Sequence, residues 1–340
     1  MKYNGEKLRV RLYDGNCFKI SISSPPHEEG GEGFIYKFQH AKYGALVLKL
    51  YISEEKALKN KEKIQFLVNN QIHSEYDYIR YCWPIGVVTN CANNFFCGFI
   101  MQAAFEGSRD LKILDTYYLN KTIQDVFPDE HRGWHNRYEL NTECGLRNRY
   151  VILLRWALAL HNLHKNGFYV LGDIKPDNVM VTSDGKISII DIDSMQVKTK
   201  NMFFPSSAHT AEYCPSEVLL HMERIKTLHQ SYDLFSIGVS FYSILTGTHP
   251  FANTKILPPF DKKDTYNKIS DKIKAGLYLR GKNARFVQTI EPYNLHKNFD
   301  ILPINIRALL NRSLSQSPLD RPTAKDWCIT LNDVLNDIHR

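Results

Sequence analysis

At 340 residues, 43% of them hydrophobic and 23% charged, the chain is too apolar for a disordered protein and too mixed for a fibrous repeat. A formal net charge of +7 over that length does not by itself call for nucleic acid. No membrane span or secretory signal is expected, because residues 151–160 are interrupted by Arg155 and residues 1–10 have no apolar core, while seven scattered cysteines without a C-x-x-C pair suit a reducing cytoplasm.

Residues 8–13 and 17–22 flank Asp14-Gly15 and predict a hairpin. Glu28 to Tyr36 then places Gly30, Gly31 and Gly33 between two strand-like runs. Residues 45–51 form an apolar strand broken by Lys49, residues 53–68 a Lys-rich helix with Ile64, Leu67 and Val68 on one face, and residues 95–104 another strand. Beyond these the chain turns helical. Residues 147–165 repeat apolar positions at helical spacing, short strands are expected at 168–171, 179–181 and 187–190, and residues 233–246 are apolar nearly all round, as in a buried helix. A small β-rich part followed by a larger helical part makes an α+β, two-lobed architecture.

The chemistry sits at fixed positions. Leu171-Gly172-Asp173-Ile174-Lys175-Pro176-Asp177-Asn178 is followed, 18 positions after Asp173, by Asp191-Ile192-Asp193. Pro215-Ser216-Glu217, Asp233-Leu234-Phe235-Ser236-Ile237-Gly238, residues 245–251 and Asp320-Arg321-Pro322 come in order behind them. With the glycine cluster and Lys49, this series resembles the eukaryotic-like protein kinases over about residues 10–335. The resemblance implies a bilobal protein-kinase-like fold. A small antiparallel β-rich N-lobe would span 1–104 and a larger, mainly α-helical C-lobe 105–340, with the nucleotide between them and the linker near 103–107. It also implies transfer of the ATP γ-phosphate to Ser or Thr hydroxyls of protein substrates, itself included, with Mg²⁺ or Mn²⁺.

That chemistry needs an in-line nucleophile, held metal and neutralised phosphate charge, so positioning and electrostatics dominate. Glycine lets backbone close over phosphates. Gly30, Gly31 and Gly33 would form that loop, with Ile35 in the place of its valine and Glu28 in place of the first glycine. Lys49 would hold the α- and β-phosphates and pair with a helix carboxylate, since an unpaired buried ammonium is costly. Glu62 is expected in that role, with Glu54 and Glu55 as alternatives. By the same resemblance Asp173 is the base that takes the hydroxyl proton, Lys175 neutralises the moving phosphoryl group, and Asn178 and Asp191 give the metal its oxygens. Val47, Met101 (gatekeeper), the Gln102 to Ala104 hinge and Met180 would surround adenine. Thr210, seven residues before Glu217, would bond Asp173 and Lys175 as in Ser/Thr kinases. Glu217 and Arg321 correspond to a buried ion pair, and Asp233 would brace the catalytic-loop backbone.

The departures carry information. Leu171 and Gly172 stand where the family has His and Arg, which removes the partner of an activation-loop phosphate, so activity is expected without loop phosphorylation. Asp193 stands where the family has glycine, which argues against a large loop flip. This set of replacements is similar to a bacterial branch that includes kinases of tellurite-resistance gene clusters. Supporting-position losses keep a pseudokinase scaffold open, and a small-molecule kinase or a nucleotidyltransferase are further alternatives. Residues 262–297 hold nine Lys+Arg against three acidic residues and offer a docking face for an acidic partner. His131, His135 and Cys144 are a loose zinc candidate. Neither nucleic acid nor membrane is an expected partner.

Overall fold

Alternation of polar and apolar residues in Lys7–Leu12 (β1) turns Leu8, Val10 and Leu12 to one buried face, the period-two signature of a half-buried strand. It pairs antiparallel with Cys17–Ser21 (β2) through a turn in which Gly15 takes φ 83°. The computed structural model describes residues 3–115, 134, 137–261, 266–290 and 294–337. The chain divides into two units, Met1–Glu106 with Ser188–Asp193, and Gly107–Ile187 with Ser194–Arg340.

The first unit is built on a seven-stranded sheet. Its further strands are Glu28–Glu29 (β3), Gly33–His40 (β4), Gly44–Tyr51 (β5), Pro84–Asn90 (β7) and Phe96–Gln102 (β8), with the short Ile79–Tyr81 (β6) outside it. The order is β2-β1-β7-β8-β5-β4-β3. One helix, Glu54–Asn69 (α1), packs on β7 and β8 and is capped by Ser53, whose hydroxyl accepts from Lys56 N at 3.2 Å. Strand β7 lies centrally yet was not expected. Pro84 and Gly86 punctuate it, and they sit at a bulge where a methyl group on Gly86 would lie 2.9 Å from Arg11 O.

The second unit is mainly helical. Glu143–His164 (α2) is capped by the Thr142 hydroxyl, which accepts from Gly145 N at 3.0 Å, so it begins four residues before the apolar repeat. After Tyr169–Val170 (β9) and Val179–Val181 (β10) come Gln196–Lys198 (β11), Phe203–Phe204 (β12) and the single turn Ser216–Leu219 (α3). All residues of Ser231–Thr246 (α4) are buried, and Gly247 in the left-handed region closes it. Trp156 of α2, Phe241 of α4 and Trp327 of the last helix, Ala324–Asp337 (α7 after Ile269–Lys274, α5, and Ile304–Ser313, α6), meet edge to face.

The basic stretch 262–297 is not a plain charged face. Lys262 and Lys263 lie outside the described residues. Lys272 is buried and donates to Thr254 O and Oγ1 at 2.9 and 3.0 Å. Lys274 pairs with Asp271 at 3.3 Å, and Arg280 pairs with Asp300 at 3.0 Å while lying over the Phe299 ring. No helix among the described residues is long and apolar enough to cross a membrane.

Candidate active site

In the first unit the β4–β5 register sets Ile35 opposite Lys49 and Gly33 opposite Tyr51. Gly33 is required by packing, since a methyl group there would stand 2.1 Å from Leu50 O. Gly30 and Gly31 face open space, with Gly30 N donating to Gly33 O at 3.0 Å. The loop is tied to α1, because Lys56 Nζ donates to Gly31 O and pairs with Glu32 at 3.3 Å. Val47 and Met101 are opposite one another on β5 and β8 and both buried. Ile35 is half-buried, Gln102 exposed and Ala104 half-buried, while Ala103 N donates to Ala45 O.

Lys49 lies at the centre of this unit, 8% exposed. Its Nζ donates to Asp193 Oδ2 at 2.8 Å and stands 3.8 Å from Asp191 Oδ1. Burial opposes its charge, but Asp193 and then Asp191 outweigh burial and hold its pKa above the usual lysine value. Glu62 is not its partner. Each residue turns the helix by about 100°, so the phase that buries Ile64, Leu67 and Val68 leaves Glu62 in solvent, and Glu54 and Glu55 are exposed too. The residue α1 buries is Lys63, 3% exposed. Burial pushes the Lys63 ammonium down to about 8, with Asp193 opposing that shift and Lys49 adding to it. Asp191 has φ 55°, an uncommon conformation for a non-glycine residue and of the kind held at functional sites.

The second unit gathers another set. Thr210 Oγ1 donates to Asp173 Oδ1 at 2.7 Å, and Lys175 Nζ reaches Thr210 Oγ1 at 2.8 Å and Asp173 Oδ2 at 3.0 Å. Asn178 Nδ2 donates to Asp173 O and Oδ2 at 2.8 and 3.0 Å. That leaves the amide oxygen of Asn178, like the carboxylate of Asp191 in the other unit, as the hard donor type that suits Mg²⁺. Fully buried Asp233 accepts from Leu171 N at 2.8 Å, Gly172 N at 2.9 Å and His164 Nε2 at 2.9 Å. Gly172 takes φ 75°, and a methyl group there would stand 2.5 Å from Ser206 Oγ. Arg321 holds Glu217 with both terminal nitrogens, at 2.7 and 2.8 Å, and also donates to Ser231 O and Ser315 O. Met180 is half-buried between buried Val179 and Val181.

Three residues of these networks escaped the sequence reading. His164 and Lys63 are not singled out there, and Asp193 enters only as the replacement of a glycine. The apolar phase of α1 carried the signal for Lys63. His131 and His135 lie outside the described residues, and Cys144 is exposed.

Comparison with known proteins agrees with this geometry. The family described as "Protein kinase domain" matches residues 113–330. The chain is 21% identical over 325 residues to "Protein kinase YegI" of Escherichia coli (strain K12), covering 92% of this chain and 44% of that one. It is 24% identical over 314 residues to "Probable serine/threonine-protein kinase CPE1738" of Clostridium perfringens, covering 91% and 37%. A stretch of 120 residues, 34% of this chain and 7% of the other, is 36% identical to human "Serine/threonine-protein kinase MRCK gamma". The chain thus spans less than half the length of these relatives. With its β-rich N-terminal and helical C-terminal units, the chain belongs to the protein kinase family.

Proposed function

We propose that the protein transfers the γ-phosphate of ATP to Ser or Thr hydroxyls of proteins, itself among them, without needing a phosphorylated activation loop. The observation that carries this reading is the Thr210, Asp173 and Lys175 network, closed at 2.7 to 3.0 Å. In the reaction the substrate oxygen bonds to the γ-phosphorus, the bond to the β,γ-bridging oxygen breaks, and ADP leaves. Asp173 takes the hydroxyl proton, Thr210 and Asn178 hold its carboxylate in one orientation, and Lys175 offsets charge on the transferred group. Asn178 and Asp191 are the residues whose oxygens would hold Mg²⁺, which would supply neutralisation of phosphate charge. Lys49 orients the α- and β-phosphates, while Gly30, Gly31 and Gly33 bring backbone N–H groups over them. Ile35, Val47, Met101, Gln102, Ala104 and Met180 contribute the adenine surroundings. None of the seven cysteines forms a disulfide among the described residues, which suits the cytoplasm.

The test is incubation of the purified protein with γ-labelled ATP and mapping of the label. Phosphoserine or phosphothreonine is expected. Asp173→Ala should lose about 10² to 10⁴ of the rate, and Asp191→Ala should lose label incorporation altogether. Label from α-labelled ATP would mark nucleotidyl transfer instead, label only on a small acceptor would mark a small-molecule kinase, and nucleotide binding without either would mark a scaffold.

A further inference from the structure

We infer that Asp193 is the positioning residue for Lys49, with Lys63 as its counter-cation. The polarity of the usual lysine–helix-glutamate pair of protein kinases would then be reversed between helix and loop. This rests on the phosphoryl-transfer reading above.

Four observations within the first unit carry it. Lys49 Nζ is 2.8 Å from Asp193 Oδ2, the shorter of its two carboxylate contacts. Every glutamate of α1, Glu54, Glu55 and Glu62, is exposed. The helix instead buries a cation, Lys63, 3% exposed. Asp193 is itself buried, and its Oδ1 has no hydrogen-bond partner among the described residues.

Buried charges persist only when compensated. A carboxylate at the glycine position of the metal-binding loop would be costly unless a cation faced it, and here Lys49 does, at 2.8 Å, in the unit whose helix also buries Lys63. Conversely, a buried lysine needs an anion, and Asp193 provides it to Lys49 directly. The four groups Lys49, Lys63, Asp191 and Asp193 carry two positive and two negative formal charges, so the cluster is neutral before nucleotide arrives. Lys49 is thereby anchored by the segment that also carries Asp191, rather than by a carboxylate of α1. The hold on the phosphate-binding lysine and the metal-binding carboxylate becomes one local unit, two residues apart in sequence.

The experiment compares wild type, Asp193→Asn, Asp193→Gly, Lys63→Glu and the reciprocal double Asp193→Gly/Lys63→Glu. The readouts are kcat and KM for ATP, affinity for a non-hydrolysable ATP analogue by calorimetry, and thermal melting. Asp193→Asn should keep a cooperative melt but lower kcat/KM about a hundredfold, the size expected when a reacting contact is displaced by an ångström. Most of the loss should fall in kcat, with analogue affinity changed far less. Lys63→Glu, which sets two carboxylates together, should be similarly impaired. The double variant restores the usual polarity and should recover to within about tenfold of wild type, a rescue that a merely structural role would not give. An Asp193→Asn protein with wild-type kcat/KM overturns the inference, as does a double variant no more active than Asp193→Gly or melting below both single variants. A wild type that transfers no phosphate overturns the kinase reading itself, a result distinct from an active wild type indifferent to Asp193.

Discussion

At the scale of single residues, backbone conformation and burial make sharper demands than motif letters do. Gly172 takes φ 75° with Ser206 Oγ where a side chain would begin. Gly172→Ala should therefore lower stability by about 1–2 kcal/mol from the left-handed conformation alone, measured by chemical denaturation, and should slow phosphoryl transfer by disturbing the N–H held by Asp233. His249 sets a pH limit. Its Nε2 donates to Glu212 O at 3.0 Å and its Nδ1 accepts from Phe251 N at 3.2 Å, which fixes the neutral form. Burial pushes its pKa down to about 3, and burial also pushes His296 down to about 4. The unfolded chain binds these protons from about pH 6.5 downward while the folded chain does not. Stability should thus be full above pH 6.5 and fall progressively toward pH 4. Melting temperatures at pH 7.5 and 5 would show it, and His249→Gln should flatten the slope. Lys49, Asp173, Asn178 and Thr210 were legible through the resemblance of their short motifs to those of protein kinases, because such motifs fix which side chains can meet. Asp193 was not legible as a partner, because its role depends on a lysine 144 positions earlier in the chain.

At the scale of elements, ends and ties matter more than propensities. Ser53→Ala removes the hydroxyl that accepts from Lys56 N and should destabilise α1 by about 1 kcal/mol. Amide exchange localised to the first turn of α1 would report it. The activation segment is fastened by the Glu217–Arg321 pair. Arg321→Met leaves the Glu217 carboxylate facing a site built for a guanidinium, at a cost of about 3 kcal/mol. That is the low end for a buried pair, because the Glu217 side chain is 31% exposed. Arg321→Lys should recover only part, since an ammonium cannot bond both oxygens in the same fork. Long helices with a clear apolar phase, such as α1 and α4, were readable, as was the β1–β2 hairpin. Strand β7 was not, because a central strand interrupted by proline and glycine owes its place to Leu12 and Ile100 against Gly86 rather than to its own pattern.

For the molecule as a whole, the net charge of +7 changes meaning once positions are known. Lys272, Lys274 and Arg280 of the basic stretch are engaged within the second unit, and raised salt should weaken the Lys274–Asp271 and Arg280–Asp300 pairs while sparing buried Lys272. Phosphatase-treated protein is expected to keep its transfer activity, because Gly172 offers no guanidinium to an activation-loop phosphate. A strict requirement for prior phosphorylation, read as activity lost on treatment and regained on autophosphorylation, would contradict that. The same glycine has an evolutionary consequence. Arginine at 172 would be strained in the left-handed region and would crowd Ser206 Oγ. A change at position 172 is thereby tied to position 206, so the two should vary together among descendants of this sequence.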